Sequence, residues 1–320
     1  MTDVSLLICT RDRGASLSRT LDSITHAVAA APGVVVELVI VDNGSRDDTS
    51  DRLVAWQRRQ DFCVVLLHEA QPGLAQARNT ALARARGRIV AMTDDDCVLR
   101  PDYFATLLTA FADAATPAII GGRILPGDPA DLPVTIKLED HPMEAVRDGF
   151  PGGFVMGANL AFTRDVIGLT GPFDTRFGAG ARFVAAEDTD LLFRALGHGV
   201  RVAYDPRFVV EHHHGRRHPN QVVALLAGYG FGDGALYAKH ILSDRRILRA
   251  IRGDMSAAIE ERRGGERPFP YIRRFHRVRL WHMLRGFVAY ARAAVSERIR
   301  GYATGAARSV TGSPEREKAG

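Results

Sequence analysis

The chain has 320 residues, 46% hydrophobic and 25% charged, a composition that excludes a disordered or fibrous protein and allows one large globular domain or two smaller ones. No stretch approaches the roughly 18 uninterrupted apolar residues of a spanning helix, the opening MTDVSLLICTRDRG lacks the features of a signal peptide, and Cys9, Cys63 and Cys97 are too scattered for a disulfide framework or a CxxC metal site, so a cytoplasmic protein is expected. The net charge of +5 is uneven: residues 241–320 hold 18 Lys and Arg against 8 Asp and Glu, a pattern either of a segment that meets a polyanion or of a solvated basic helix.

In chain order, the first 120 residues alternate short β-branched runs with segments of helical period. Residues 4–9 (VSLLIC), 35–41 (VVELVIV), 64–68 (VVLLH) and 88–92 (RIVAM) read as buried strands, and 15–30, 48–60 and 73–85 as amphipathic helices. This alternation predicts a parallel sheet with crossover helices, whose ligands bind beyond the carboxyl ends of the strands. Those ends are polar: Thr10-Arg11-Asp12-Arg13, Asp42-Asn43-Gly44-Ser45 and Thr93-Asp94-Asp95-Asp96. Residues 121–153, rich in Gly and Pro, read as irregular loop with one edge strand. A strand is expected over 154–162, a helix over 187–196, and short strands over 200–204 and 208–210. Beyond His214 the pattern is helical and basic, broken at 263–270, with a frayed end.

Asp94 and Asp96 share a face if the backbone there is extended, and two convergent carboxylates suit Mg²⁺ or Mn²⁺ beside a diphosphate. The same triple Asp also fits a capping turn before Pro101. The ordered series ICTRDR (8–13), IVDNGSRDDT (40–49), GLAQARNTAL (73–82), GRIVAMTDDDC (87–97), FVMGANLAFTRD (154–165), GPFDTRFG (171–178), AEDTDL (186–191) and DPRFVVEHHHG (205–215) resembles glycosyltransferase family 2, nucleotide-sugar enzymes of the GT-A fold. The resemblance covers about residues 3–215. It implies that Thr10, Arg11 and Asp42 line the base pocket, that Arg78 approaches the pocket or diphosphate, that Asp94 holds the ribose and shares in the metal site, and that Asp96 holds the metal. It also places the catalytic base in the Glu187-Asp188 pair. Asp188 is the favoured base and Glu187 a helper, reached past Gly178-Ala179-Gly180; where the family often has Gly before the pair, this chain has Ala186. Acids here would also serve simply as helix N-terminal stabilisers.

Three adjacent histidines cannot all face inward from one strand. By the resemblance His212 completes the metal or diphosphate site; His214 shares its face if the strand continues, while His213 and His218 read as exposed. The run from Gly230 to Ala235 satisfies GxGxxA but follows no first strand, so 228–234 reads as a mobile loop that could close over the donor.

The expectation is an α/β, Rossmann-like, mostly parallel sheet flanked by helices, over about 1–225 (nucleotide half 1–120, acceptor half 121–225), with a helical basic appendage over 226–320. Its expected activity is metal-dependent, inverting transfer of a sugar from a nucleoside diphosphate to a hydroxyl acceptor. A lipid-linked acceptor and an anionic membrane surface, at the inner face of the membrane, are the expected context for the basic tail. Two alternatives are a nucleotidyltransferase acting on sugar phosphates, for which Arg11–Gly14 makes a poor triphosphate loop, and a nucleic-acid-binding protein, for which the tail has few interleaved aromatics.

Overall fold

The computed structural model describes residues 1–112, 117–265, 269 and 272–310. Much of the expected break at 263–270 and the expected frayed last ten residues lie outside the described residues. Strands β1 (Val4–Thr10), β2 (Val36–Asp42), β3 (Cys63–His68) and β4 (Ile89–Asp94) alternate with helices α1 (Leu17–Ala29), α2 (Thr49–Gln57) and α3 (Leu74–Arg84). β5 (Cys97–Leu99), α4 (Tyr103–Ala112), β6 (Ala118–Pro126), β7 (Met143–Glu144), β8 (Asn159–Thr163), α5 (Asp165–Thr170), α6 (Glu187–Gly197) and β9 (Arg201–His212) follow, and α7 (Pro219–His240), α8 (Arg246–Arg262) and α9 (Phe275–Val310) close the chain.

The strands form one sheet in the order β3-β2-β1-β4-β8-β6-β9-β5, with β7 beside β9. Pairings among β1 to β4 and between β6 and β9 are parallel, while β8 opposes both of its neighbours and β5 and β7 oppose β9. The sheet is therefore mostly parallel, as expected. Alternate residues feed opposite faces, as the two-residue period of a strand requires. Leu6, Ile8, Leu38 and Ile40 pack under α1, α2 and α4, whereas Leu7, Val39, Val41 and Met92 pack against α3 and α6. The parallel register sets Thr10 opposite Asp42 and Cys9 opposite Asp94, so three polar strand ends meet at one edge.

Four expectations are corrected. The strand expected over 154–162 begins only at Asn159, because residues 156–159 form a turn in which Asn159 N–H donates to the Met156 carbonyl at 3.1 Å. The two short strands expected over 200–210 are one, β9, which passes Asp205-Pro206 by a register shift opposite Gly122/Arg123. Loop 121–153 is strand as far as Pro126, and β7 is its edge strand.

The fourth concerns 228–234, which is the middle of helix α7 and no loop. A Cβ built at Gly234 would stand 1.9 Å from the Met283 carbonyl oxygen of α9, and one at Gly286 would stand 1.9 Å from the Phe231 carbonyl oxygen. These glycines let two helix backbones touch, and that close packing offsets their poor helix propensity. α7 is also tied to α6: the buried Asp190 carboxylate accepts from Arg194, Lys239 and His240, each at 2.8 Å, and Lys239 reaches Asp174 at 2.9 Å. Phe177, Phe183, Phe193, Tyr237 and Met283 form an apolar cluster that joins the helices to the sheet domain across residue 225.

Candidate active site

Every expected site residue lies at or near the carboxyl edge of the parallel strands or at the start of α6. Thr10 ends β1, but its hydroxyl is buried and donates to Asp95 Oδ2 at 2.6 Å, so that side chain serves the turn after β4. Arg11 is exposed, with Nε 3.7 Å from Asp12. Asp42 ends β2 and accepts from Ser45 N–H at 2.9 Å and from the Ser50 hydroxyl. Burial raises its pKa, but those bonds outweigh it and hold the carboxyl below its ordinary value.

The segment from Asp94 is not extended. Asp95 and Asp96 form a tight turn between β4 and β5, so the shared face of Asp94 and Asp96 does not follow from strand alternation. Asp95 points inward, and burial pushes its carboxyl up to about 6. Asp96 turns to His212 at the end of β9, Oδ1 to Nε2 3.2 Å. Burial raises the Asp96 pKa, yet His212, together with Arg13 at 3.5 Å and the charge of Arg216, lowers it overall.

The His212 ring is held from behind, its Nδ1 3.1 Å from the Thr135 carbonyl oxygen. A metal-binding histidine is commonly oriented this way, with its other nitrogen free to ligate. Donor atoms of Asp96, Cys97 and His212 all lie within 4.8 Å of one another, a group able to hold a cation. Asp94 is outside it and meets Arg78 at 3.6 Å. His214 packs edge-on to His212 with its ring centroid 5.3 Å away, and its Nδ1 is 3.7 Å from Asp131. His213, expected to be exposed, is half-buried against Arg19 at 2.7 Å, while His218 is exposed at the start of α7.

Arg78 is buried between two acids. Its guanidinium bonds Glu187 at 2.8 Å and faces Asp94 across 3.6 Å, joining α3, β4 and the start of α6. Gly157 makes room for it, since a Cβ there would stand 2.6 Å from an Arg78 terminal nitrogen. Burial and the neighbouring Asp188 charge push the Glu187 carboxyl up, against the pull of Arg78. Asp188 is half-exposed, and its Oδ2 accepts from Gly157 N–H at 2.9 Å. Ala186, just before the pair, takes φ 74°, a left-handed conformation that suits glycine better than alanine. Gly178 and Gly180, also at positive φ, pack a turn against Glu187 and Gly73, so this segment is built structure rather than an open approach.

Sequence reasoning missed three neighbours. Tyr229 of α7 stands near enough to Asp188, Arg216, Asp94 and Glu187 for their charges to act on its hydroxyl. Arg216 lies beside Asp96, and Thr135 orients His212. No local motif marks any of the three.

A parallel sheet with acids at its carboxyl edge and an acid pair opening a facing helix defines a nucleotide-binding α/β domain of GT-A type. The mannosyltransferase PcManGT from Pyrobaculum calidifontis, solved with GDP-Man and Mn²⁺, superposes with a TM-score of 0.52 at 21% identity, covering 97% of this chain and 81% of that one. TarS of S. aureus with UDP gives a TM-score of 0.50 at 15% identity over 76% of this chain and 73% of the other. Residues 5–169 match Glycosyl transferase family 2, and the chain belongs to that family and is a glycosyltransferase. Similar proteins are the glucosyl-dolichyl phosphate glucuronosyltransferase of Haloferax volcanii, 29% identical over 65% of this chain and 68% of that protein, and the pre-mycofactocin glycosyltransferase of Mycobacterium tuberculosis, 28% identical over 74% of this chain but only 48% of that protein.

Proposed function

We propose that the chain transfers a sugar from a nucleoside diphosphate to a hydroxyl acceptor, with Mg²⁺ or Mn²⁺ and with inversion at the anomeric carbon. The observation that carries this reading is the pairing of Asp96 with His212 beside an Asp94–Arg78–Glu187 bridge that leads directly to Asp188. A carboxylate and an imidazole suit Mn²⁺ and leave positions for phosphate oxygens, so these residues fit the ion. Asp96 and His212 would hold it, and when bound it supplies positive charge to the departing diphosphate. Asp42, Arg11 and the β1 end take the base, Asp94 takes the ribose, and Arg78 holds Asp94 and Glu187 in place. Arg13 and Arg216 add charge at the phosphates.

Asp188 accepts the acceptor's hydroxyl proton as that oxygen bonds the anomeric carbon and the bond from carbon to phosphate oxygen breaks, the electron pair leaving on the diphosphate. Attack from the face opposite the leaving group inverts the centre. The name of the Haloferax relative, with its dolichyl phosphate, supports a lipid-linked acceptor, and we extend that reading to a membrane-side role in making cell envelope polysaccharide.

Asp96→Ala tests the donor site. Binding of UDP and GDP, by calorimetry, should weaken about 10–100-fold in Mn²⁺ and change little in EDTA. Equal binding by variant and parent in Mn²⁺ would remove the metal from this reading.

A further inference from the structure

Helix α9 carries an apolar stripe on the side turned away from α7. Trp281 is 60% exposed, Leu284 55%, Val288 38% and Val295 58%. Their spacing of three, four and seven residues keeps all four within a narrow arc of the helix. Exposed Arg285 and Arg292 lie along one edge of that stripe, and exposed Arg277 continues it one turn before Trp281. Helix α8 repeats the pattern: Leu248, Met255 and Ile259 are exposed at spacings of seven and four, with Arg245, Arg249, Arg252 and Arg262 exposed around them. The opposite sides of both helices are occupied. Arg279 of α9 bonds Asp233 of α7 at 2.7 Å and also Asp254 of α8, so α8 and α9 are held side by side.

We propose that this outer face of α8 and α9 docks on an anionic lipid bilayer, Trp281 and Leu284 entering the interface while the arginines meet lipid phosphates. A tryptophan and three aliphatic side chains left in water on one stripe are an unfavourable arrangement unless something covers them. The arginines select what covers them, because interfacial helices pair an apolar stripe with flanking basic residues. A second copy of the chain is a poorer occupant: a twofold contact through this face would set Arg277, Arg285 and Arg292 of one copy against those of the other. None of the described helices is long and apolar enough to cross a membrane, so this contact is peripheral. The inference deepens the reading of a lipid-linked acceptor, but the face is tested without acceptor or donor.

Full-length protein is sedimented with vesicles of phosphatidylglycerol and phosphatidylcholine, 1:1, and with phosphatidylcholine alone, at low and high salt. Pelleting is expected with the anionic vesicles at low salt and should fall as salt rises. The chain has two tryptophans, and Trp56 is buried, so a blue shift of fluorescence on adding vesicles reports Trp281. The triple change R277E/R285E/R292E should lower vesicle partitioning about a hundredfold and W281D/L284D should lower it as well, while L284D alone, which keeps the Trp281 reporter, should weaken the blue shift, each with an unchanged melting temperature. The proposal is overturned by no pelleting at low salt, by undiminished pelleting of both variants, or by a vesicle-independent dimer that W281D/L284D dissolves. Sugar transfer in detergent to a soluble acceptor should survive both variants. Its loss in the parent protein as well, with vesicle binding intact, would count against the catalytic reading alone.

Discussion

Ala186 holds φ 74° at the position before Glu187 and Asp188, where alanine is strained and glycine is not. Such strain, of order 1–3 kcal/mol, persists only where the surroundings impose it. Here a buried partner imposes it on one side, through the 2.8 Å bond of Glu187 to Arg78, and the Gly157 amide holds Asp188 on the other. The two acids consequently differ in kind. Asp188 is half-buried and accepts from the backbone amides of Gly157 and Thr189, whereas Glu187 is buried in an ion pair. Asp188→Asn should therefore lower transfer about 10²–10⁴-fold with little change in nucleotide affinity, and with only a small drop in melting temperature from the one backbone amide, Gly157 or Thr189, that loses its acceptor. Glu187→Gln should lose less activity but also lose stability, since it leaves Arg78 short of a buried partner. Near-parent turnover by Asp188→Asn alongside an inactive Glu187→Gln would exchange the two roles, and normal turnover by both would reduce the pair to a helix terminus.

At the scale of elements, the crossing of α7 and α9 places Tyr229 beside the acids on a helix rather than on a loop. That crossing depends on Gly234 and Gly286, which lie against backbone that cannot give way as a flexible side chain would. Gly234→Ala should force the helices apart, at a cost of about 2–4 kcal/mol, read as a lower denaturation midpoint. Gly253→Ala is the control. It also lies within a helix, α8, but a Cβ there meets nothing within 4 Å, so it should stabilise by about 0.5–1 kcal/mol. If Gly234→Ala behaves like Gly253→Ala, the backbone contact is not what joins the helices.

For the whole molecule, the link between sheet domain and helical tail is electrostatic as well as apolar. Asp190 of α6 is fully buried among Arg194, Lys239 and His240. Burial alone would raise its pKa, but these partners bring it down to about 2. A depressed native pKa means that the stabilisation is present above the unfolded value near 4 and is lost as pH falls toward 2. Unfolding followed from pH 6 to pH 2.5 should show this loss, about 2 kcal/mol, reduced in Asp190→Asn, which is less stable at neutral pH. A parent and variant with parallel pH curves would remove Asp190 from the account.

Much of the architecture was legible because it is written locally. β-branched runs such as 35–41 and amphipathic stretches such as 15–30 repeat at the period of their own element, so strands and helices emerge without knowledge of their neighbours. The polar rim followed from the rule that parallel strands present ligands at their carboxyl ends, and the motifs from Ile8 to Gly215 carried the resemblance to the family. The partners of those residues were not legible. Arg78 meets Glu187 across 109 positions, Thr10 meets Asp95 across 85, and Thr135 meets His212 across 77. Local reading also failed at the glycines of α7, which count as helix breakers until α9 is laid against them. Sequence by itself determined the elements of the first hundred residues and which polar strand ends make the rim, because local backbone preference and side-chain period decide both there. Tertiary structure alone decided that Arg78 joins two acids and that α7 is a helix beside the site, because those outcomes depend on side chains and backbone brought together from distant parts of the chain.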